Sequence, residues 1–462
     1  MNPLLIEQLL DDPRVRDARR TLLDTLRDHQ QTLTAPKRPD PDRRIAYDQL
    51  ITRFGHDRGG ALYYPYLGSG AGRGALVELA DGSVKYDMIG GIGVHGFGHG
   101  HPALTEAALD AALCDVVMQG NLQQDVASAE LAHELIAAAG DRLNHVFLTT
   151  SGAMANENAL KLIFQARHPA DRLLAFEHCF MGRTLAMAAV TDKPAYRDGL
   201  PPTIDVDYVP FFDQQDPIAS TSRAVATLNE HLQRRPQRYA AMCFEVVQGE
   251  GGYHVGDRDF FLALIDILKQ HNVAVMIDEV QTFGRLHALF GFQHFGLDQH
   301  VDVVTIGKLS QVCATLFTDE FRPRPGLISQ TFTGATASIH AGRAILRLLE
   351  SGDYFGDAGR IAAVHHRFVD RFNQIAADHP NWIRGPHGLG GMIAFQVFDG
   401  TPDITKQVLH ALYDAGVIAF LAGAQPTRVR FLPSIGVISD DDIDHVCRIL
   451  RDVLTQTATT IS

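Results

Sequence analysis

The periodicity of hydrophobic and polar positions changes twice along the chain. From Leu4 to Thr34, Leu, Ile and Val recur three and four positions apart between charged residues, which predicts helix. The Pro- and charge-rich stretch APKRPDPDRR (35–44) predicts a linker that ends this helical segment. After it, polar and apolar residues alternate on both sides of Asp81-Gly82, which predicts a β-hairpin.

From about residue 100 onward, short apolar runs alternate with helical patterns. The runs are HVFLTT (145–150), RLLAFE (172–177), AAMCFEVV (240–247), VAVMID (273–278) and VDVVTIG (301–307). Continuous apolar runs between helices are typical of strands buried on both faces, so we expect an α/β fold with a mainly parallel sheet flanked by helices. Beyond about residue 340, a helical pattern followed by shorter alternating strands predicts a smaller α+β domain. The expected segments are an N-terminal helical segment with its linker (1–75), a large α/β domain (76–340) and a small C-terminal α+β domain (341–462).

Composition narrows the class of protein. The 462 residues are 45% hydrophobic and 21% charged, as in globular proteins, and the formal net charge of -13 argues against nucleic acid or an anionic membrane as partner. The five cysteines form no C-x-x-C pair, which favours reduced thiols. The N-terminus lacks the apolar run of a signal peptide, and no later stretch is long and apolar enough to span a bilayer. We therefore expect a soluble, cytoplasmic protein.

Polar residues directly after three of the apolar runs are candidates for chemistry, because open parallel sheets bind ligands at the carboxyl ends of their strands. These residues are Asp278, Lys308 and the group Ser151-Gly152-Ala153. Taken singly, each has an ordinary structural explanation as a cap, a turn residue or a solvated loop charge.

Together, the three features fit pyridoxal phosphate. A helix that begins at small residues offers N–H groups and a positive dipole end to a phosphate. A buried carboxylate such as Asp278 keeps a pyridine nitrogen protonated, and a desolvated lysine such as Lys308 can be a free amine that forms a Schiff base. The sequence therefore predicts a pyridoxal phosphate site at the strand ends of one α/β domain.

Ordered motifs extend this prediction over most of the chain. They are GHGHP (98–102), TSGAMANENALK (150–161), FMGRT (180–184), FEVVQGEGG (244–252), IDEVQTFGR (277–285), IGK (306–308), TFTG (331–334) and VRFLP (429–433). With these motifs, the chain from about residue 80 to residue 440 resembles the class III (ω-amino acid) aminotransferases of PLP fold type I.

The resemblance implies roles around the cofactor. Lys308 matches the Schiff-base lysine and Asp278 the partner of the pyridine nitrogen. The other matching positions are Gly152 and Ala153 as backbone donors to the phosphate with Ser151 beside them, Phe180 and Val280 on the two ring faces, Gln281 near the ring hydroxyl, and Glu245 near the cofactor. Thr331 matches a threonine that reaches the phosphate of the neighbouring subunit's cofactor, which implies a homodimer with shared active sites.

The resemblance also implies how substrates bind. Arg430 matches an arginine that binds the α-carboxylate of 2-oxoglutarate, Glu250 a glutamate that covers it while the amino donor is bound, and Arg183 an arginine for the carboxylate at the far end of the substrate. The chain departs from the family pattern at Met181, Val246 and Ala335, which we interpret as altered donor preference. IGKLSQVCA (306–314) is similar to the lysine ε-aminotransferase branch. The expected reaction moves the terminal amino group of a lysine-like donor to 2-oxoglutarate by a ping-pong mechanism.

Two other functions stay open. A PLP-dependent aminomutase or decarboxylase could use the same scaffold but would not need the Glu250–Arg430 pair, and a non-catalytic PLP-binding protein would not need Lys308 and Asp278. We expect no metal, because His99 and His101 lack a third ligand at metal-like spacing. GSGAGRG (68–74) resembles the G-x-G-x-x-G motif of dinucleotide-binding proteins, but it precedes a predicted hairpin rather than a helix.

Overall fold

Helices and strands alternate through most of the chain in a computed structural model that describes residues 2–461. The α-helices are α1 Leu5–Asp11, α2 Pro13–Gln30, α3 Pro41–Asp57, α4 Gly90–Gly93, α5 Pro102–Ala112, α6 Val126–Ala139, α7 Gly152–Ala166, α8 Leu185–Val190, α9 Pro217–Arg234, α10 Arg258–Gln270, α11 Gly291–His294, α12 Thr336–Ser351, α13 Arg360–Asp378, α14 Pro402–Ala415 and α15 Asp440–Ile461. The strands are β1 Gly68–Arg73, β2 Leu76–Leu79, β3 Val84–Asp87, β4 Met118–Gln119, β5 His145–Thr149, β6 Arg172–Phe176, β7 Asp205–Val209, β8 Tyr239–Phe244, β9 Val247–Gln248, β10 His254–Val255, β11 Ala274–Glu279, β12 Val303–Ile306, β13 Cys313–Phe317, β14 Gly334–Ala335, β15 Ile383–Leu389, β16 Met392–Val397, β17 Val417–Ile418, β18 Phe420–Ala422 and β19 Arg428–Phe431.

The largest sheet of the described chain has seven strands in the order β5-β13-β12-β11-β8-β6-β7. Only β13 runs antiparallel to its neighbours in this part of the structure, and the remaining pairs are parallel. β8, β11, β12 and β13 are buried along their whole length, because helices such as α7 and α10 cover the sheet. The expected α/β fold with a mainly parallel sheet is confirmed, and the five apolar runs form β5, β6, β8, β11 and β12.

Two four-stranded sheets also lie in the described chain, in the orders β1-β2-β3-β17 and β15-β16-β19-β18. The expected hairpin is present, since β2 and β3 pair antiparallel and Glu78 lies opposite Val84 across the turn. Gly82 in that turn has a φ of +77°, which glycine adopts without steric cost. The core beneath these sheets contains the aromatic rings of Phe368, Phe372, Phe395 and Phe431.

The chain forms two compact units whose limits differ from the three segments expected from the sequence. The first unit comprises the chain up to Leu113, Ala363–Pro386 and the chain from Ile393 onward, and the second comprises Cys114–Ala362 and His387–Met392. Residues 76–113 join the C-terminal part because β3 pairs in parallel with β17. α12 crosses the expected boundary at residue 340 and packs on α6 of the second unit.

The N-terminal region is more helical than the sequence predicts. The expected helix from Leu4 to Thr34 is divided into α1 and α2, and the Asp12 side chain caps the start of α2. The expected linker over residues 35–44 is wrong at its end, because α3 begins at Pro41. Asp40 caps that helix, and proline is compatible with a first helical turn, whose N–H groups have no intrahelical partner. Between Asn2 and Ile461, no helix is long and apolar enough to cross a membrane.

Candidate active site

The start of α7 lies directly after β5, at the edge of the large sheet. Ser151 is the N-cap residue, and its hydroxyl accepts a hydrogen bond from Met154 N at 3.2 Å. Gly152 and Ala153 form the first turn, where backbone N–H groups are available to an anion. A Cβ on Gly152 would lie 2.7 Å from Val280 Cγ1, so the helix start contacts the residues that follow β11.

Asp278 is the next-to-last residue of the buried strand β11, and its side chain is almost inaccessible to solvent. It accepts hydrogen bonds from Asn156 Nδ2 at 2.7 Å and from Val280 N at 2.9 Å. Burial raises the pKa of Asp278, whereas the hydrogen bonds and the charge of Lys308 oppose that increase. The carboxylate is therefore held in place by donors that stabilise its anionic form.

Lys308 follows β12, the strand beside β11. Asp278 pairs with Thr305 and Glu279 with Ile306, so Gly307 and Lys308 come next to Val280. Lys308 is half-buried with a φ of +54°, an unusual backbone conformation for a side chain of this size. A Cβ on Gly307 would lie 2.9 Å from Cys313 Sγ and 3.1 Å from Val280 Cγ1, so only glycine fits before the lysine without displacement.

Glu245 connects two segments beside Asp278. Its carboxylate accepts hydrogen bonds from Phe180 N at 3.0 Å and from Gly249 N at 2.9 Å. Burial, followed by the proximity of Asp278, raises the pKa of Glu245 to about 8. Gln281 lies against the same turn, because a Cβ on Gly249 would be 2.6 Å from its amide group. Glu245 thus fixes the backbone of the two segments that carry Phe180 and Glu250.

Arg183 is exposed and packs on an aromatic ring in its own unit. Its guanidinium carbon is 3.9 Å from the centroid of Tyr196, and the Phe180 ring meets Tyr196 edge-on at 6.3 Å. Lys193 contacts the same ring, with Nζ 4.6 Å from the centroid and 3.1 Å from the hydroxyl. Tyr196 therefore places two cations near Phe180, an arrangement suited to an anionic group.

Thr331 is exposed, in a loop that pairs with the segment around β4. Gly120 can only be glycine here, because a Cβ would lie 1.8 Å from Thr331 O, and Asn121 N donates to Gln330 O at 3.3 Å. Phe332 is 56% exposed and Leu122 is fully exposed beside this loop. Thr331 therefore lies in a loop region that exposes two large apolar side chains.

Arg430 belongs to the first unit and Glu250 to the second, so their pairing stays a prediction. Arg430 lies in β19 and is fully buried, with its guanidinium carbon 5.4 Å from the Phe420 ring centroid. Phe420 is its cross-strand partner in β18. Glu250 is half-buried, directly after the Gly249 turn that Glu245 holds.

The structure also places the two histidines considered as metal ligands, the glycine-rich segment, and two of the departures from the family pattern. His99 Nε2 is 3.0 Å from Asp87 Oδ2, and His101 packs against Phe97, while residues 2–461 contain no group of three metal-ligating side chains. The residues GSGAGR form β1 of a hairpin rather than a helix start. Met181 and Val246, two of the departures from the family pattern, are buried, Met181 in the core of the sheet and Val246 beside Gly291.

These residues fit pyridoxal phosphate. The start of α7 can hold the phosphate, the buried Asp278 carboxylate can hold a protonated ring nitrogen, and Lys308 brings an amine whose charge opposes the increase that burial causes in the pKa of Asp278 and of Glu245. The contacts of Val280 with Gly152 and Gly307 bring these three groups to one edge of the sheet.

The family follows from comparison with known proteins. A family model described as Aminotransferase class-III matches residues 66–454. The chain therefore belongs to the class-III aminotransferases, and it is a pyridoxal phosphate-dependent enzyme of fold type I that takes an amino donor and a keto acid.

Relatives and solved structures agree with this assignment. The chain is 31% identical to the acetylornithine aminotransferase of Pseudomonas putida over 434 residues, which cover 90% of this chain and 98% of that protein. The acetylornithine aminotransferase of Methanocaldococcus jannaschii is 30% identical over 407 residues, covering 83% and 92%. The lysine aminotransferase of M. tuberculosis, solved in its internal aldimine form, matches with a TM-score of 0.77 at 25% identity, covering 88% and 99%.

Two residues of the site, Asn156 and Thr305, were missed by the sequence analysis. Asn156 lies on the buried face of α7 and Thr305 inside the apolar run that forms β12. Thr305 is a polar residue within an apolar run, whereas Asn156 is followed by the polar residues Glu157 and Asn158 and does not stand out. The register of β11 and β12 is needed to place Thr305 beside Asp278.

Proposed function

We propose that this aminotransferase moves the terminal amino group of an ω-amine, such as lysine or a similar diamino acid, to 2-oxoglutarate by a ping-pong mechanism. The observation that carries the proposal is the fully buried guanidinium of Arg430 beside Phe420. A buried arginine suits a bidentate bond to a carboxylate, which every 2-oxo acid carries beside its carbonyl group. The relatives named above, for acetylornithine and for lysine, support a donor whose free amine ends a chain.

The chemistry at the sheet edge is assigned to Lys308 and Asp278. When bound, the cofactor supplies an electron sink for the carbon that carries the amino group. Asp278 holds the proton on the ring nitrogen, and its contacts with Asn156 and Val280 N keep the carboxylate oriented. The Nζ of Lys308 would hold the cofactor covalently, and the same amine would carry the proton that transamination requires.

Cofactor contacts follow the same arrangement. Ser151, Gly152 and Ala153 bind the phosphate, Phe180 and Val280 enclose the ring, and Gln281 lies near the ring hydroxyl. Glu245 supports Phe180 through its backbone rather than by touching the substrate, because both of its carboxylate oxygens are engaged by N–H groups.

Donor recognition is assigned to Arg183 and to the switch between Glu250 and Arg430. Arg183 binds the carboxylate at the far end of the donor, and its contact with Tyr196 reduces the entropy lost when that bond forms. Glu250 covers Arg430 while the donor is bound, so a single site accepts both substrates. Since Met181 and Val246 are buried, they alter donor preference through the backbone they support.

We also propose a cytoplasmic homodimer with shared active sites, in which Thr331 of one subunit reaches the cofactor phosphate of the other. The exposed apolar residues Phe332 and Leu122 beside Thr331 support a protein partner at this surface. The absence of a disulfide among the five cysteines in residues 2–461 supports the reducing compartment.

The reaction is tested by incubating the cofactor-loaded enzyme with 2-oxoglutarate and a panel of amino donors. We expect glutamate to form with lysine or a similar diamino acid, and with no donor lacking a terminal amine. Failure to form glutamate from any ω-amine would contradict the proposal. Turnover of a single substrate without a keto acid would instead indicate an aminomutase or a decarboxylase.

A further inference from the structure

Asn156 connects three segments around the carboxylate of Asp278. Its Nδ2 donates hydrogen bonds to Asp278 Oδ2 at 2.7 Å and to Met181 O at 2.8 Å. Its Oδ1 accepts a hydrogen bond from Thr305 Oγ1 at 2.7 Å. Asn156 and Thr305 are fully buried, so water does not compete for these bonds.

We propose that Asn156 and Thr305 act as a positioning pair, which orients the Asp278 carboxylate toward the ring nitrogen of the cofactor and keeps it anionic. The inference rests on the proposed role of Asp278 and assigns functions to two residues that do not themselves touch the substrate.

The orientation of the Asn156 amide is set by its surroundings. On one side lie two acceptors, the Asp278 carboxylate and the carbonyl of Met181, and these require the NH₂ group. On the other side the hydroxyl of Thr305 donates to the amide oxygen. Thr305 therefore fixes the amide from the side opposite Asp278, and without its hydroxyl the buried Oδ1 loses its donor.

The hydrogen bond from Asn156 to Asp278 matters because it opposes the effect of burial on the carboxylate. Burial raises the pKa of Asp278, and among the effects that lower it the hydrogen bond from Asn156 is the largest, ahead of Val280 N and the charge of Lys308. The other titratable groups around the carboxylate are Glu245, Glu279, Cys243 and Cys313. Since a carboxylate that takes up a proton no longer holds one on the ring nitrogen, a weaker bond from Asn156 reduces the electron sink.

The same amide couples the carboxylate to the segment that carries Phe180. Met181 O accepts from Asn156, and Met181 N donates to Thr191 Oγ1 at 2.9 Å, so the backbone after Phe180 is held from both sides. The groups assigned to the ring nitrogen and to one ring face are thus positioned by a single side chain.

Thr305→Val tests the proposal, because it keeps the shape of the side chain and removes only the hydroxyl. Its matched control is Thr315→Val, since Thr315 is also fully buried in the sheet and donates to a main-chain atom of α7, Ala155 O, at 2.7 Å. Both variants are measured as cofactor-loaded enzyme, by the pH titration of the cofactor's visible absorbance and by kcat and KM.

We expect Thr305→Val to raise the midpoint of the absorbance titration by about one pH unit and to lower kcat about tenfold, with the donor KM unchanged. The midpoint rises because the cofactor binds a second proton more readily when its ring nitrogen carries less positive charge. Thr305→Ser should restore both values, and Thr315→Val should leave the titration at the wild-type midpoint.

Equal titrations for Thr305→Val and Thr315→Val would overturn the inference. Lys308→Ala separates this outcome from failure of the proposed function. If Lys308→Ala abolishes the titrating band while Thr305→Val leaves it unchanged, only the positioning role is wrong. If Lys308→Ala keeps the band, the cofactor site itself is wrongly assigned.

Discussion

Glu245 shows how a single side chain contributes to the site without touching a substrate. Its two carboxylate oxygens accept from Phe180 N and Gly249 N, on segments that follow β6 and β9. In Glu245→Gln one oxygen becomes an NH₂ group, which faces an N–H donor instead of accepting from it. We expect a loss of about 1–3 kcal/mol in the free energy of unfolding, measured by denaturant titration.

The same residue makes stability depend on pH. The pKa of Glu245 is raised from 4.5 to about 8. Between these two pH values, the folded chain therefore retains a proton that the unfolded chain has released. The free energy of unfolding should therefore fall as pH rises from about 5 to about 8. The slope should be shallower in cofactor-free Glu245→Gln than in the cofactor-free wild type, and equal slopes would contradict this account.

Arg183 and Lys193 contact the same ring, and this allows a matched comparison. Arg183→Ala should raise the KM for the amino donor about 10- to 150-fold, because a charged hydrogen bond contributes about 1.5–3 kcal/mol. Lys193→Ala, which removes the second cation on Tyr196, should leave that KM within about twofold of wild type, since no bond to the donor carboxylate is assigned to Lys193. Steady-state kinetics decide between them, and equal effects would show that Arg183 has no specific role.

At the scale of residues, the sequence predicts which groups end the strands but not how they are held. Lys308 and Asp278 follow apolar runs, so their position can be read from the pattern alone. Asn156 and Thr305 look like tolerated polar residues, because their roles depend on the register between β11 and β12 and on the face that α7 turns inward.

At the scale of elements, the start of α7 depends on close contact with the loop after β11. Gly152→Ala would place a Cβ 2.7 Å from Val280 Cγ1, although the backbone itself tolerates alanine. We expect a cost of about 1–3 kcal/mol, seen as a lower Tm and a higher Kd for pyridoxal phosphate. Gly60→Ala is the control, because no atom lies within 4 Å of its added Cβ.

A second substitution tests the cause of that effect. If crowding against Val280 is responsible, Val280→Ala should recover most of the Tm lost in Gly152→Ala, measured on the cofactor-free protein. Additive effects of the two substitutions would show that the helix start fails for another reason.

Five of the seven strands of the large sheet could be predicted, whereas β7 and β13, and α3 outside this sheet, were missed. β13 was missed because the segment between Ile306 and Cys313 is too short for a helix, so no boundary separates it from β12. α3 was missed because Pro and charged residues at 35–44 indicated a linker, whereas Asp40 and Pro41 are a helix start. Neither β13 nor α3 can be identified from the spacing of hydrophobic residues along the chain.

At the scale of the whole molecule, shared active sites predict complementation between two defective subunits. A Lys308→Ala subunit paired with a Thr331→Ala subunit has one site that lacks both groups and one that lacks neither. Random mixing in equal amounts should therefore restore about a quarter of wild-type activity at limiting cofactor. No activity beyond that of the separate variants would contradict a Thr331 that acts across subunits.

The central claim is that Lys308 holds pyridoxal phosphate covalently. Borohydride reduction of the cofactor-loaded enzyme, followed by peptide mass mapping, tests this claim most directly. We predict a single pyridoxyl phosphate adduct on the peptide that contains Lys308. An adduct on another lysine, such as Lys161 or Lys193, or no adduct at all, would contradict the account.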